Sequence, residues 1–138
     1  IGYAPFAYLI SELSLLGIRP HVFYGEKSKD QLVEYWRHSG ADFTVSTDDG
    51  SYGRQGSITR HFSGTYDSIY ICGPLGMVFD FKKRFTLFSS ITQASMEAVM
   101  ACGVGSCKGC NIETAVGVRY VCSDGPVFAL DELIDQNS

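Results

Sequence analysis

Four thiols gather toward the C-terminal end of this chain: Cys102, Cys107, Cys110 and Cys122. The first three follow a Cys-x4-Cys-x2-Cys pattern and the fourth lies downstream, which is the spacing of plant-type [2Fe–2S] ligation. Thiolates so placed hold iron through sulfur, and the chemistry that follows is electron transfer. The segment reads Ala101-Cys102-Gly103-Val104-Gly105-Ser106-Cys107-Lys108-Gly109-Cys110. A backbone wrapped around a compact cluster needs conformational freedom and room for close approach, and the three glycines provide both. Backbone N–H groups bared by such a loop also donate to the cluster sulfurs, which favours the reduced state and raises the potential.

Four thiols have other uses. Structural zinc usually takes two short cysteine pairs separated by a longer loop, whereas three of these ligands crowd into residues 102–110. A disulfide framework suits small secreted chains, and five cysteines is an odd count. Iron is the best match to the spacing.

The elements that must position these thiols are legible upstream. With 138 residues, 45% of them hydrophobic, the chain can bury the core of one ordinary domain with a small appendage. A net charge of −4 and no basic patch argue against nucleic acid. The apolar runs are far too short to span a membrane, so a globular, cytoplasmic protein is expected. The acidic tail, with Asp124, Asp131, Glu132 and Asp135, is expected to be solvated and partly frayed.

Phe6, Leu9, Ile10, Leu13 and Leu16 recur at helical spacing, with Pro5 suited to the first turn and Gly17 to the stop. A strand is expected before this helix, so that the chain reads as a piece of a longer protein. Pro20–Gly25 reads as a strand ending in a glycine turn. Ser28, a plausible N-cap, opens a helix to His38 carrying Leu32, Val33 and Trp36. Asp42–Thr47 is the next strand, followed by a polar loop over 48–53 and a short helix from Ser57 to Phe62. Asp67–Cys72 is a strand, Leu75 to about Phe88 a helix with Met77, Phe81, Phe85 and Phe88 on one face, and Ser90–Met96 the last strand before the cysteine loop.

Strands alternating with helices predict an α/β fold, a doubly wound parallel sheet, with ligands at the carboxyl ends of the strands. Gly2, Gly25, Gly50 and Gly73 each fall just after an observed or inferred strand, where a nucleotide would lie, although turns alone also select glycine.

Several segments together resemble one family. They are Gly2-Tyr3-Ala4-Pro5, Thr47-Asp48-Asp49-Gly50-Ser51-Tyr52-Gly53, Cys72-Gly73-Pro74 with Met77, Ser95-Met96-Glu97 leading into Met100-Ala101-Cys102, and Cys122-Ser123-Asp124-Gly125-Pro126-Val127-Phe128. The chain is similar through them to the C-terminal part of the electron-transfer subunits of NAD-dependent dihydroorotate dehydrogenases, in the ferredoxin-reductase-like superfamily. That resemblance implies an NAD-binding domain over 1–96 with its first strand truncated, and a [2Fe–2S] domain over 97–138. It implies FAD in a preceding barrel domain that these residues do not include, so the isolated fragment is not expected to be active. The implied partner is an FMN-containing catalytic subunit, in a heterotetramer of two copies each, serving pyrimidine (UMP) biosynthesis. A related reductase subunit serving a hydrogenase or a ferredoxin couple is the nearest alternative. A nucleotide-binding module with a structural zinc is another. One departure from the family is a short loop, residues 111–121, before the fourth cysteine.

By the same resemblance Cys102, Cys107, Cys110 and Cys122 are the iron ligands. Cys72, with Gly73 and Pro74, shapes the turn where the nicotinamide meets the flavin; a small buried residue at a strand end is the simpler alternative. Gly2, Pro5, Gly25 and Gly50 belong to the nucleotide turns. Asp48 and Asp49 are placed to receive ribose hydroxyls and repel a 2'-phosphate, or else to form a turn. Glu26, Lys27 and Ser28 line the adenine side. Glu97 is expected to be a solvated surface group or local cap, and His21, His38 and His61 to be structural or exposed.

Overall fold

The computed structural model describes residues 2–32 and 40–135. It divides into two compact units, Ile1–Gly64 and Thr65–Ser138. The boundary expected near residue 97 lies within the second.

In the first unit, α1 spans Ala4–Leu15 with Pro5 in its first turn, where a missing N–H costs nothing. Gly17 ends it at φ +73, letting Ile18 N–H reach Leu13 O at 2.9 Å and close the last turn. Of the predicted apolar stripe, Ile10 is buried, Phe6, Leu9 and Leu13 are half-buried, and Leu16 is exposed. β1 (His21–Glu26) and β2 (Asp42–Thr47) pair in parallel from His21↔Asp42 to Glu26↔Thr47. A short β3, Arg54–Gln55, extends the sheet beside Ser46 and Thr47. Its two residues fall between the expected loop and helix and are too few to show any periodicity. The chain turns into it through Gly53 at φ +67, where a Cβ would lie 2.8 Å from the carbonyl carbon of Val45.

Gly25 lies inside β1 rather than in a turn after it. Its role is close approach: a Cβ there would sit 2.8 Å from Cβ of Ile58, in the 3-10 helix Ile58–His61. Of the helix expected from Ser28, the described part is one 3-10 turn, Lys29–Gln31. Ser28 makes no side-chain capping bond, and Leu32 is extended. Val33, Trp36 and His38 lie outside the described residues.

In the second unit, β4 (Ile69–Cys72) runs parallel to β5 (Thr92–Ser95). Between them α2 spans Leu75–Arg84, shorter than expected. Phe85 leaves helical geometry at φ −124, ψ 49, and the chain continues as the 3-10 helix Thr86–Ile91. The aromatic spacing recorded burial rather than an unbroken hydrogen-bond ladder, for Phe85 still meets Phe81 at a 5.0 Å centroid separation.

After the cysteine loop come the hairpin β6 (Asn111–Thr114) and β7 (Gly117–Tyr120), one helical turn α3 (Val121–Asp124), and β8 (Val127–Ala129). β8 returns antiparallel to β5, giving the order β4-β5-β8 and making the sheet mixed rather than parallel throughout. The acidic tail is therefore not simply solvated. Phe128, Leu130 and Leu133 are buried, the last two completely. The Lys82 ammonium donates to the carbonyls of Asp131 (3.0 Å) and Leu133 (2.5 Å). Burying two leucines outweighs the solvation of neighbouring carboxylates, of which Asp124 accepts the Tyr120 N–H and Glu132 the Ala129 N–H.

Candidate cluster site and nucleotide turns

The cysteine loop lacks regular structure and is shaped by hydrogen bonds to sulfur. Gly105 N–H donates to Cys122 Sγ at 3.1 Å, and Cys107 N–H to Cys102 Sγ at 3.4 Å. Gly109 N–H reaches Cys107 Sγ at 3.5 Å, and Cys122 N–H reaches Cys110 Sγ at 3.4 Å. Gly103 and Gly105 stand at φ +70 and +76. At Gly105 a Cβ would also press on Ser123, 3.0 Å from its Oγ.

The fourth thiol arrives by a separate route. The β6–β7 hairpin reverses the chain, Val121 N–H bonds Cys110 O at 3.0 Å, and Asp124 Oδ2 accepts the N–H of Tyr120 at 2.7 Å. Together these place α3, and with it Cys122, beside the loop.

The four cysteines fall into two pairs, each joined by a backbone N–H to sulfur: Cys107 to Cys102 and Cys122 to Cys110. Backbone N–H groups, that of Cys107 foremost, hold the Cys102 thiol down to about 6. The Cys122 N–H similarly lowers Cys110, whereas its hydrogen bond to Cys110 raises Cys122. Among the described residues no three His, Cys, Asp or Glu gather around a single ion position. A mononuclear zinc needs four donors about one ion; four thiolates on two irons need two at each. Paired sulfurs with N–H donors already aimed at them fit a two-iron cluster.

The thiols should differ in reactivity when no metal is bound. At pH 7 Cys102 is largely thiolate, whereas burial pushes Cys72 up and keeps it a thiol. Timed iodoacetamide labelling of the metal-free chain, read by peptide mass spectrometry, should modify Cys102 well before Cys72. The Cys102 rate should fall as pH drops through about 6. Equal rates for the two would contradict this assignment.

Cys72 ends β4 opposite Ser95, and its thiol points to Glu97 Oε1 at 3.9 Å, a long contact through sulfur. Glu97 is thus more than a solvated surface group. Gly73 follows at φ +154, folded close against Met77, and Pro74 leads into α2.

The first unit holds the remaining nucleotide candidates. Gly2 and Pro5 lie at the start of α1. Asp48 is exposed, while Asp49 Oδ1 accepts both the N–H (2.9 Å) and the hydroxyl (2.6 Å) of Ser51. Those bonds hold its carboxyl below the usual range. Gly50 is at φ +74, the conformation its turn requires. Ser51 Oγ in turn accepts Lys29 N–H at 2.8 Å, and Asp49 N–H donates to Lys27 O, so the two loops are laced together. Glu26 accepts the Tyr24 hydroxyl at 3.2 Å. His21 bonds Thr44 Oγ1 and stacks on Phe23, and His61 bonds Gln55 O.

Ser51, Glu97, Gly105 and Asp124 carry contacts that residue-by-residue reading did not assign. Only the Asp-x-Ser spacing of 49–51, an Asx turn, offered a local signal.

Residues 97–134 match the family described as the iron-sulfur cluster binding domain of dihydroorotate dehydrogenase B. The chain is 38% identical, over 96% of its length, to the probable dihydroorotate dehydrogenase B (NAD(+)) electron transfer subunit of Archaeoglobus fulgidus, covering 58% of that protein. It is 35% identical to the corresponding subunit of Clostridium acetobutylicum, over 97% of this chain and 54% of the relative. It thus spans a little over half the length of these relatives. A solved chain of the NADH-dependent reduced ferredoxin-NADP oxidoreductase superposes with a TM-score of 0.81 at 22% identity, over 97% of this chain and 51% of that one.

Fold and site define a ferredoxin-reductase-like α/β chain that carries an iron-sulfur segment. Over nearly its whole length it is similar to dihydroorotate dehydrogenase B electron transfer subunits, and its residues 97–134 match their iron-sulfur cluster binding domain.

Proposed function

We propose that this chain is the nucleotide and cluster portion of an electron transfer subunit, carrying electrons derived from dihydroorotate oxidation to NAD+ in pyrimidine biosynthesis. The observation that carries the reading is the pairing of Cys102 with Cys107 and Cys110 with Cys122 through N–H donors to sulfur, inside the segment that matches the cluster-binding family. A [2Fe–2S] cluster held there supplies one-electron transfer between a partner's flavin and the FAD of a further domain.

The chain's own part is positional. Gly105, Cys107, Gly109 and Cys122 direct N–H groups at sulfur and offset the negative charge that accumulates there. Cys72, Gly73 and Pro74 shape the nicotinamide turn; Cys72 stays protonated and orients rather than attacks. Gly2, Pro5 and Gly50 shape the turns that let backbone approach the dinucleotide, whereas Gly25 packs on Ile58. Asp48, with an exposed carboxylate, is the better ribose ligand of the two aspartates, because Asp49 is engaged by Ser51. Functionally the chain divides into a nucleotide part, 1–96, and a cluster part, 97–138. The partner is an FMN-containing dihydroorotate-oxidising subunit, two copies of each forming a cytoplasmic heterotetramer. No described helix is long and apolar enough to cross a membrane.

Prepared without oxygen, the chain should be coloured, contain iron and sulfide in near-equal amounts, and give an electron paramagnetic signal on reduction. A colourless chain holding one tight zinc would overturn the cluster. Co-purification of the full-length subunit with a different oxidoreductase would overturn the assigned partner.

A further inference from the structure

Lys108 occupies the tightest part of the cysteine loop, between the ligand candidates Cys107 and Cys110. Its backbone is left-handed at φ +60, and it is the only non-glycine residue at positive φ among those described. A side chain is unfavourable there, and glycine, already used at 103 and 105, removes the strain. The strained turn is fixed from behind: Asn111 Nδ2 donates to Lys108 O at 3.3 Å. The side chain is exposed. Between Cys102 and Cys110 it is the sole charged residue, and the nearest others in sequence are Glu97 and Glu113.

We propose that Lys108 is a potential-tuning residue, whose positive charge, carried one residue after Cys107 and two before Cys110, stabilises the reduced cluster. The proposal rests on the iron-sulfur reading above. Reduction adds one electron and no atom to a centre whose four thiolates already make it anionic, so a neighbouring cation favours the reduced form more than the oxidised one. The N–H donors act in the same direction, but they belong to the backbone and survive any substitution at 108. The lysine charge alone can be varied without rebuilding the loop. Because it is exposed, salt should weaken its influence.

The test is a dithionite titration of the anaerobically prepared chain, following the reduced-cluster paramagnetic signal in wild type, Lys108→Arg, Lys108→Gln, Lys108→Gly and Lys108→Glu. Iron and sulfide content is measured on each sample. Arginine should leave the midpoint unchanged. Glutamine and glycine should lower it alike, and glutamate by about twice as much, since the charge changes by two rather than one. All shifts should shrink in high salt. Glycine separates the two roles of the position, for it relieves backbone strain and removes the charge together. Equal midpoints across the series at full cluster content would overturn the proposal while leaving the cluster intact. Absence of iron, sulfide and signal from the wild type would overturn the cluster reading itself, and this proposal with it. If glutamate prevents assembly, the glutamine and arginine variants still decide the matter.

Discussion

Cys122→Ser should remove most of the visible absorption and reducible iron of the anaerobic chain, and Cys107→Ser should do the same, whereas Cys72→Ser should retain a full cluster. The two losses have different structural origins. Cys107 is exposed in the loop, and its partner Cys102 lies five residues before it. Cys122 comes to Cys110 only because the β6–β7 hairpin brings the chain back. Serine in either place leaves one pair with a single sulfur, and an alkoxide is a poor substitute for thiolate on iron. Cys72 makes its contact to Glu97 instead, outside both pairs. Iron and sulfide assay on the three variants, beside wild type, settles the assignment. Full cluster retention in Cys107→Ser or Cys122→Ser would show that the wrong ligand had been chosen, and loss in Cys72→Ser would bring that thiol into the site.

Much of this site was legible because ligand chemistry and ligand spacing are local properties. Cysteine, glycine and the distances between them along the chain carry the loop, and the strands β1 and β4 declare themselves through short apolar runs and β2 through alternation. What escaped was non-local. Nothing adjacent in sequence tells Gly105 that its N–H will meet Cys122, or Glu97 that it will meet Cys72 across β4 and β5. The tail illustrates the same limit: its carboxylates dominated the reading, whereas Leu130 and Leu133, placed by the antiparallel return of β8, determine where it lies. The end of α2 shows the converse. Apolar spacing over Phe81, Phe85 and Phe88 is compatible with an α-helix and with a helix followed by a 3-10 turn, and only hydrogen bonding distinguishes them.

Gly125→Ala should destabilise the chain by about 2 kcal/mol, as overpacking of a filled core does, which at this length is roughly 5–8 °C in Tm. Gly125 has a negative φ of −115, so alanine is not forced into the left-handed region there. The obstacle is space. A Cβ would lie 2.8 Å from Phe128 Cζ, closer still to Cε2, and 3.0 Å from Val121 O. Phe128 cannot yield easily, because it is buried and its strand pairs with β5. Neither can Val121, which bonds Cys110 O through its N–H and is itself buried. The collision therefore falls on the joint between α3, which carries Cys122, and β8, which closes the sheet. Thermal unfolding followed by circular dichroism should show the loss, and retained iron should decline with it as Cys122 is displaced from Cys110. Gly76→Ala provides the contrast: it lies in α2 with nothing within 4 Å of its would-be Cβ, and should stabilise by about 0.5 kcal/mol through a less flexible unfolded chain. If both substitutions shift Tm equally, the packing explanation for Gly125 fails, and with it the view that the Asp-Gly-Pro turn after Cys122 is there to bring an aromatic core residue against the cluster segment.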